Sequence, residues 1–156
     1  MSREHQDLFS RSAIGTFRLN GQFLAIAEEL ARPAGLTAAW WQVLGAVLRE
    51  PLPVAGIARA MGITRQSVQR IADLLVDRGL AEYRPNPAHR RAKLLAPTEE
   101  GRAAIARIDP GHADFADRLV AAYGGEAELA EAVAVLERLV EVLDEVGLPR
   151  APVTEP

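Results

Sequence analysis

Val54-Ala-Gly-Ile-Ala-Arg-Ala-Met-Gly-Ile-Thr-Arg-Gln-Ser-Val-Gln-Arg-Ile-Ala-Asp-Leu-Leu-Val-Asp-Arg78 is the stretch that decides the fold. Val54, Ile57, Ala58 and Met61 recur at spacings of three and four, which predicts a helix over about 54–61 with one inward face. Gly62 ends it, because a glycine just past the last periodic residue takes the left-handed conformation without a Cβ penalty. Thr64 is a good N-cap for a second helix, whose buried stripe is Val68, Ile71, Ala72 and Leu75. Small Ala58, Gly62 in the turn, and apolar Val68 and Ile71 sit where two helices must cross closely at a steep angle. The pattern is that of a helix-turn-helix.

That stripe leaves Arg65, Gln66, Ser67, Gln69 and Arg70 outside, in the first two turns of the second helix, behind Thr64. Arginine pairs with the acceptors of guanine, glutamine with adenine and serine with either, and a helix N-terminus attracts phosphate. A polar helix face is more often plain solvated surface, so the charge distribution matters. The chain has a net charge of −3. From Arg59 to Lys93, however, eight basic residues face three acidic ones, a local excess of five positive charges, and the remainder carries eight negative. One phosphate-facing surface on an acidic body produces such segregation, because sequence-independent DNA affinity comes from local Lys and Arg.

Beyond the motif, Gly79 stops the second helix, and Leu80-Ala-Glu-Tyr-Arg84 reads as a short strand closed by Pro85-Asn-Pro87. A second strand over about 91–96 completes a basic hairpin with Arg90, Arg91 and Lys93 at or near its tip. Upstream, a helix over about 7–32 carries two apolar faces, Leu19, Phe23, Ile26 and Leu30 on one and Phe17, Leu24, Ala27 and Ala31 on the other. Asn20-Gly21 can be read as a turn that splits it, but one helix is favoured. Pro33-Ala-Gly35 closes it, and Thr37 caps a helix with Trp40, Val43, Leu44, Val47 and Leu48 as its core stripe, ended by Pro51-Leu-Pro53. Thr98 caps a helix from Glu99 to about Tyr123, which Asp109-Pro110-Gly111 is expected to kink or break. From Glu126 to about Val146, Leu129, Ala132, Leu136, Leu139, Leu143 and Val146 follow strict 3-4 spacing, a coiled-coil seam best explained as joining two subunits.

Composition narrows the function classes. The 156 residues are 49% hydrophobic and 25% charged, an ordinary globular mixture able to bury roughly 70% of its unfolded surface. No cysteine means no disulfide framework, no thiolate metal site and no thiol redox sensor. His5, His89 and His112 lack metal-ligand spacing, so neither a metal nor a cofactor is expected. The longest uncharged run, Pro33 to Leu48, is shorter than the roughly 20 residues of a membrane span, and the first residues show no signal core; a cytoplasmic location without membrane contact is expected. There is no Gly-rich phosphate loop, His-Glu-x-x-His helix or suggested nucleophile-base pair, which argues against an enzyme.

Nearly the whole chain resembles the multiple antibiotic resistance regulator (MarR) family of winged-helix regulators. The resemblance rests on Ile57-Ala-Arg-Ala-Met-Gly-Ile-Thr-Arg-Gln-Ser-Val-Gln-Arg-Ile71, Asp77-Arg-Gly-Leu80 and His89-Arg-Arg-Ala-Lys-Leu-Leu-Ala-Pro-Thr-Glu-Glu-Gly101. It implies that Arg91 is the wing arginine that enters the minor groove, and that Thr98 and Gly101 mark the next helix start. Two positions depart from the family pattern. His89 replaces an aspartate, removing a carboxylate that would hold the arginine, and Pro97 replaces a leucine, which is expected to shorten the strand.

The expected fold is mainly α: a winged helix-turn-helix over 36–97 with a two-stranded β wing, a helical dimerisation region from 1–35 and 98–148, and a disordered tail at 149–156. The expected DNA contacts are Thr64, Arg65, Gln66, Ser67, Gln69, Arg70, Arg90 and Arg91. The resemblance further implies a homodimeric repressor of double-stranded DNA, released by a small aromatic or phenolic ligand. Phe17, Phe23, Trp40 and Trp41 are the candidate lining, with Trp41, off the Trp40 stripe, foremost. The rival reading is a helical interaction or scaffold module that uses the terminal seam and has no specific DNA site.

Overall fold

A computed structural model describes residues 2–149. The elements are α1 (Arg3–Ala31), α2 (Ala38–Ala46), β1 (Leu52–Pro53), α3 (Val54–Met61), α4 (Arg65–Asp77), β2 (Ala81–Arg84), β3 (Leu94–Pro97), α5 (Glu99–Tyr123) and α6 (Glu126–Val146). They fall into two compact units, one up to His112 and the other from Ala113 on.

In the first unit an apolar core gathers Val43, Leu44 and Val47 around α2, Ile57 and Ala58 of α3, and Val68, Ile71, Ala72 and Leu75 of α4, with Leu95 of β3 and Ala104, Ile105 and Ile108 of α5. The helix-turn-helix forms as the periodicity predicts. Gly62 takes φ 66°, donating its N–H to Ala58 O, and the N–H of Ile63 bonds the same carbonyl, so the turn leaves few orphan groups. Thr64 Oγ1 then accepts the N–H of Ser67 and starts α4. Upstream, α1 is one helix running through Asn20-Gly21, capped by Ser2 and starting four residues earlier than predicted, at Arg3. The Glu28 carboxylate accepts the N–H of Ala38 at 2.8 Å, placing a negative charge on the positive end of α2.

The sheet differs from expectation in three ways. It has three strands, ordered β1-β3-β2, all antiparallel; Leu52–Pro53, read from sequence only as a helix stop, is an edge strand paired with Leu94 and Leu95. An edge is where a proline is tolerated, since it offers no ladder donor. The last strand begins at Leu94 instead of about Arg91, so that Arg90 to Lys93 belong to the turn. Pro97 does not shorten the strand; it is its last residue, opposite Ala81. The N–H of Thr98 bonds Leu80 O, and because an antiparallel ladder alternates bonded and non-bonded pairs, the Ala81–Pro97 pair next to it needs no N–H from the proline.

α5 runs unbroken through Pro110, where an interruption was expected. The division between the two units lies just beyond this proline, so Asp109-Pro110-Gly111 marks a boundary of packing while the helix itself continues. In the second unit, Gly124 and Gly125 take positive φ and α6 starts at Glu126. α6 has no buried residue; Val133, Leu136, Val140, Leu143 and Val146 are exposed. Of the tail expected at 149–156, Pro149 lies outside any helix or strand and the remainder lies outside the described residues. Among the described residues, no helix is long and apolar enough to cross a membrane.

Close packing at Gly101 generates a prediction. A Cβ there would stand 2.0 Å from Leu80 O and 3.4 Å from a Leu44 methyl, so Gly101→Ala must push the Leu80 backbone, at the approach to β2, away from α5. Overpacking of this kind costs about 2 to 3 kcal/mol. Thermal unfolding followed by circular dichroism at fixed concentration should show a midpoint lower by about 5 to 10 °C. An unchanged midpoint would mean that β2 and α5 are not held this tightly.

Candidate nucleic-acid interface

α4 is amphipathic, with Val68, Ile71, Ala72 and Leu75 buried, so its polar residues are fixed on the opposite face. Arg65, Gln66, Gln69 and Arg70 are exposed there. Thr64 and Ser67 are occupied with each other: Thr64 Oγ1 accepts the Ser67 N–H at 3.1 Å and donates to Ser67 Oγ at 3.0 Å. Ser67 is half-buried, and its hydroxyl helps to build the start of the helix.

Across from this face stands the turn between β2 and β3. Its shape comes from two side chains acting as backbone caps. Asn86 Oδ1 accepts the N–H of Ala88 at 3.0 Å, and Nδ1 of His89 accepts the N–H of Ala92 at 3.2 Å. An aspartate at position 89 would cap the turn in the same way, so the imidazole supplies the acceptor, though not the charge, of the family residue. Arg91 is exposed, and among the described residues no carboxylate forms an ion pair with it.

Between helix and turn lies an open cleft of about 560 Å³, lined by Pro53, Val54 and Ala55, by Arg65, Gln66 and Gln69 of α4, by Tyr83, and by Arg91, Ala92 and Lys93. Three cations and no carboxylate line it. Of the predicted contacts, the fold thus brings Arg65, Gln66, Gln69 and Arg91 together; Arg70 and Arg90 are exposed outside the lining. Such a concentration of Lys and Arg in one concavity raises the local potential for a polyanion.

Two of the lining residues, Gln69 and Tyr83, join Asp73, which lies outside the lining, in a cluster that sequence reasoning missed. Gln69 Nε2 donates to Asp73 Oδ1 at 3.0 Å and to the Tyr83 oxygen at 2.9 Å, and the Tyr83 hydroxyl donates to Asp73 Oδ1 at 2.5 Å. Lys93 Nζ sits 6.0 Å from the Tyr83 ring centroid, within cation–π range. Burial first, and then the hydrogen bond and charge of Asp73, push the Tyr83 phenol from 10 up to about 12, against a smaller opposite effect of Gln69, so it remains a proton donor at neutral pH. Asp73 is legible from its i+4 spacing to Gln69. Tyr83, fourteen residues away on a strand, carries no local signal.

The four aromatic candidates for a ligand site lie in different surroundings. Phe17 and Phe23, both on α1, are 73% and 51% exposed, outside the core cluster. Trp40 and Trp41 pack against the core. The Arg78 guanidinium lies 5.6 Å from the Trp40 ring, and His112 meets Trp41 edge-on with centroids 5.7 Å apart. Among the described residues, no group of three or more His, Cys, Asp or Glu is arranged to hold a metal ion.

Comparison with known proteins agrees with this architecture. A family model described as the MarR family matches residues 34–92, which contain α2 to β2 and most of the wing turn. An uncharacterised protein of Mycobacterium tuberculosis is 43% identical over 102 residues, 65% of this chain and 71% of that protein. Among solved structures, a MarR family transcriptional regulator of Rhodococcus sp. RHA1 is 27% identical with a TM-score of 0.63, covering 83% of this chain and 93% of that one. BpsR of Bordetella bronchiseptica, whose DNA binding is regulated by 6-hydroxynicotinic acid, is 26% identical with a TM-score of 0.66, covering 83% of this chain and 98% of that one. The amphipathic α4, the basic turn facing it and these likenesses converge: the chain belongs to the MarR family of winged helix-turn-helix transcription regulators, which are not enzymes.

Proposed function

We propose that this regulator binds double-stranded DNA sequence-specifically as a homodimeric repressor, with α4 in the major groove and the β2–β3 turn as a wing on the flanking backbone and minor groove. The observation that carries this reading is the cleft, in which Arg65, Gln66 and Gln69 of the helix and Arg91 and Lys93 of the turn converge without a lining carboxylate. Thr64 and Ser67 leave the helix N-terminus well capped, and its first-turn N–H groups add a favourable end for phosphate. Arg70 and Arg90 extend the basic surface to either side as backbone contacts. The region formed by 36–97 does the reading, and 1–35 with 98–148 does the pairing.

Homodimerisation is supported by apolar side chains that a lone chain leaves wet. On α1 these are Leu8, Phe9, Ile14, Phe17 and Phe23; on α6 they are Leu136, Val140, Leu143 and Val146. Exposed apolar surface on this scale marks an interaction site. Pairing two chains also sets the geometry of reading, since recognition helices meet successive major grooves only when about 34 to 36 Å apart. A ligand that favours a dimer with another spacing releases the DNA, and BpsR, a relative controlled by a small aromatic acid, supports that mode here. Its site is proposed among Phe17, Phe23, Trp40 and Trp41, with Trp41 as the main apolar contact.

DNA contact is tested by titrating the protein onto the region upstream of its own gene at several salt concentrations. Arg65→Ala should cost about 1 to 3 kcal/mol on the cognate site and relax base preference. Arg91→Ala should weaken many sequences alike and lower the salt slope by about one unit. If both variants bind like the parent, the cleft is not the interface, and the rival reading as an interaction module gains.

Sedimentation at micromolar concentration should give twice the 16.9 kDa chain mass. Leu136→Glu combined with Leu139→Glu places like charges in the α6 seam and should yield monomers or unfolded chain. A folded dimer of that variant would move the interface elsewhere.

Phenolic and heteroaromatic acids titrated against Trp40 and Trp41 fluorescence should quench it over the same concentrations that dissolve the DNA complex. A panel that changes neither signal removes the ligand from the proposal.

A further inference from the structure

The Gln69–Asp73–Tyr83 cluster has a directional consequence for base reading, which rests on the DNA-binding role proposed above. A carboxylate has only acceptors to offer, so the Gln69 atom beside Asp73 Oδ1 is the amide nitrogen and not the oxygen. The single phenolic hydrogen of Tyr83 also goes to Asp73, which leaves the Tyr83 oxygen to accept from the same nitrogen. The three bonds therefore agree on one amide orientation. Turning the amide over would face its carbonyl oxygen to a carboxylate and lose two of the three. What remains without a partner in the cluster is the Gln69 carbonyl oxygen, on a side chain that lines the basic cleft.

We propose that Asp73 and Tyr83 lock the Gln69 amide so that it reads the operator as a hydrogen-bond acceptor, selecting a base with an amino group in the major groove, adenine or cytosine. Guanine N7 and O6 and thymine O4 are acceptors, and an acceptor presented to them is repelled. A glutamine free to turn over meets either class of base edge and discriminates poorly between them. Tyr83 and Asp73 are thus positioning residues: neither needs to touch DNA, and both decide what Gln69 can read. Lys93, stacked over the Tyr83 ring, adds a cationic contact that ties the wing to the same cluster.

The test is selection from a randomised duplex pool, run with the full chain and with Gln69→Ala, Tyr83→Phe and Asp73→Ala. Gln69→Ala identifies the position that Gln69 reads, as the one whose preference disappears. Adenine or cytosine should be enriched there with the parent protein. Tyr83→Phe keeps the ring and its packing but removes the hydroxyl; it and Asp73→Ala should each flatten preference at that position by about two- to tenfold. The remaining positions should keep their preferences, and the salt slope should not fall. Guanine or thymine at the Gln69 position overturns the proposal, as does a preference that survives both variants. Equal weakening at every position also overturns it, because the pair would then merely support the helix. A parent that enriches no sequence overturns the DNA-binding reading and this inference with it. A parent with a clear motif that Gln69→Ala leaves intact overturns this inference alone.

Discussion

One residue, Thr98, ties α4, the strand that follows it and α5 together. Its hydroxyl donates to Gly79 O at 2.6 Å, just past the end of α4, and accepts the N–H of Gly101 at 3.1 Å in the first turn of α5, while its own N–H bonds Leu80 O just before β2. The segment just past α4, the approach to β2 and the start of α5 are thereby fixed to one another. Gly101 permits this closeness, since any Cβ there would run into Leu80.

Two demands are made of α4, and they are met on opposite faces. Val68, Ile71, Ala72 and Leu75 go into a core that also holds Leu44, Val47 and Leu95, which prevents the helix from rotating about its axis. With rotation removed, the backbone positions of Arg65, Gln66 and Gln69 are fixed on the outer face, and of the three side chains Gln69 is held by hydrogen bonds to Asp73 and Tyr83. Capping by Thr64, Gly62 in the left-handed region and the Gln69–Asp73–Tyr83 cluster act in the same sense. The wing is held by a three-stranded sheet and by Asn86 and His89 capping their own turn.

Local sequence determined much of this. The helix-turn-helix, its cap, its turn glycine and the core stripe of α4 depend on interactions within a few residues, so the 3.6-residue period and the residue types at 62 and 64 suffice to read them. The basic segment from Arg59 to Lys93 is likewise visible in a chain of net charge −3 without any coordinates. The bounds of α6 are also as the periodicity has them, because Gly125 and Gly147 close it at both ends. Pro110 shows the limit of a local rule: the proline does not end α5, since a missing donor can be tolerated where the flanking turns remain helical.

Tertiary structure decided the rest, wherever the partners are remote in sequence. Leu52–Pro53 becomes a strand because β3 lies alongside, and no local propensity announces a two-residue edge that ends in proline. Pro97 is harmless because the register of β2 against β3 puts it opposite Ala81 at a position that asks for no N–H. Gln69 looks like a free base reader in the sequence; only the packing of β2 against α4 brings the Tyr83 hydroxyl to its amide and gives that amide one direction. Sequence therefore determined which polar and basic residues lie on the outer face of α4, through periodicity and charge, whereas the fold decided how the Gln69 amide is aimed, because that depends on hydrogen bonds among groups that only the folded chain brings within 3 Å.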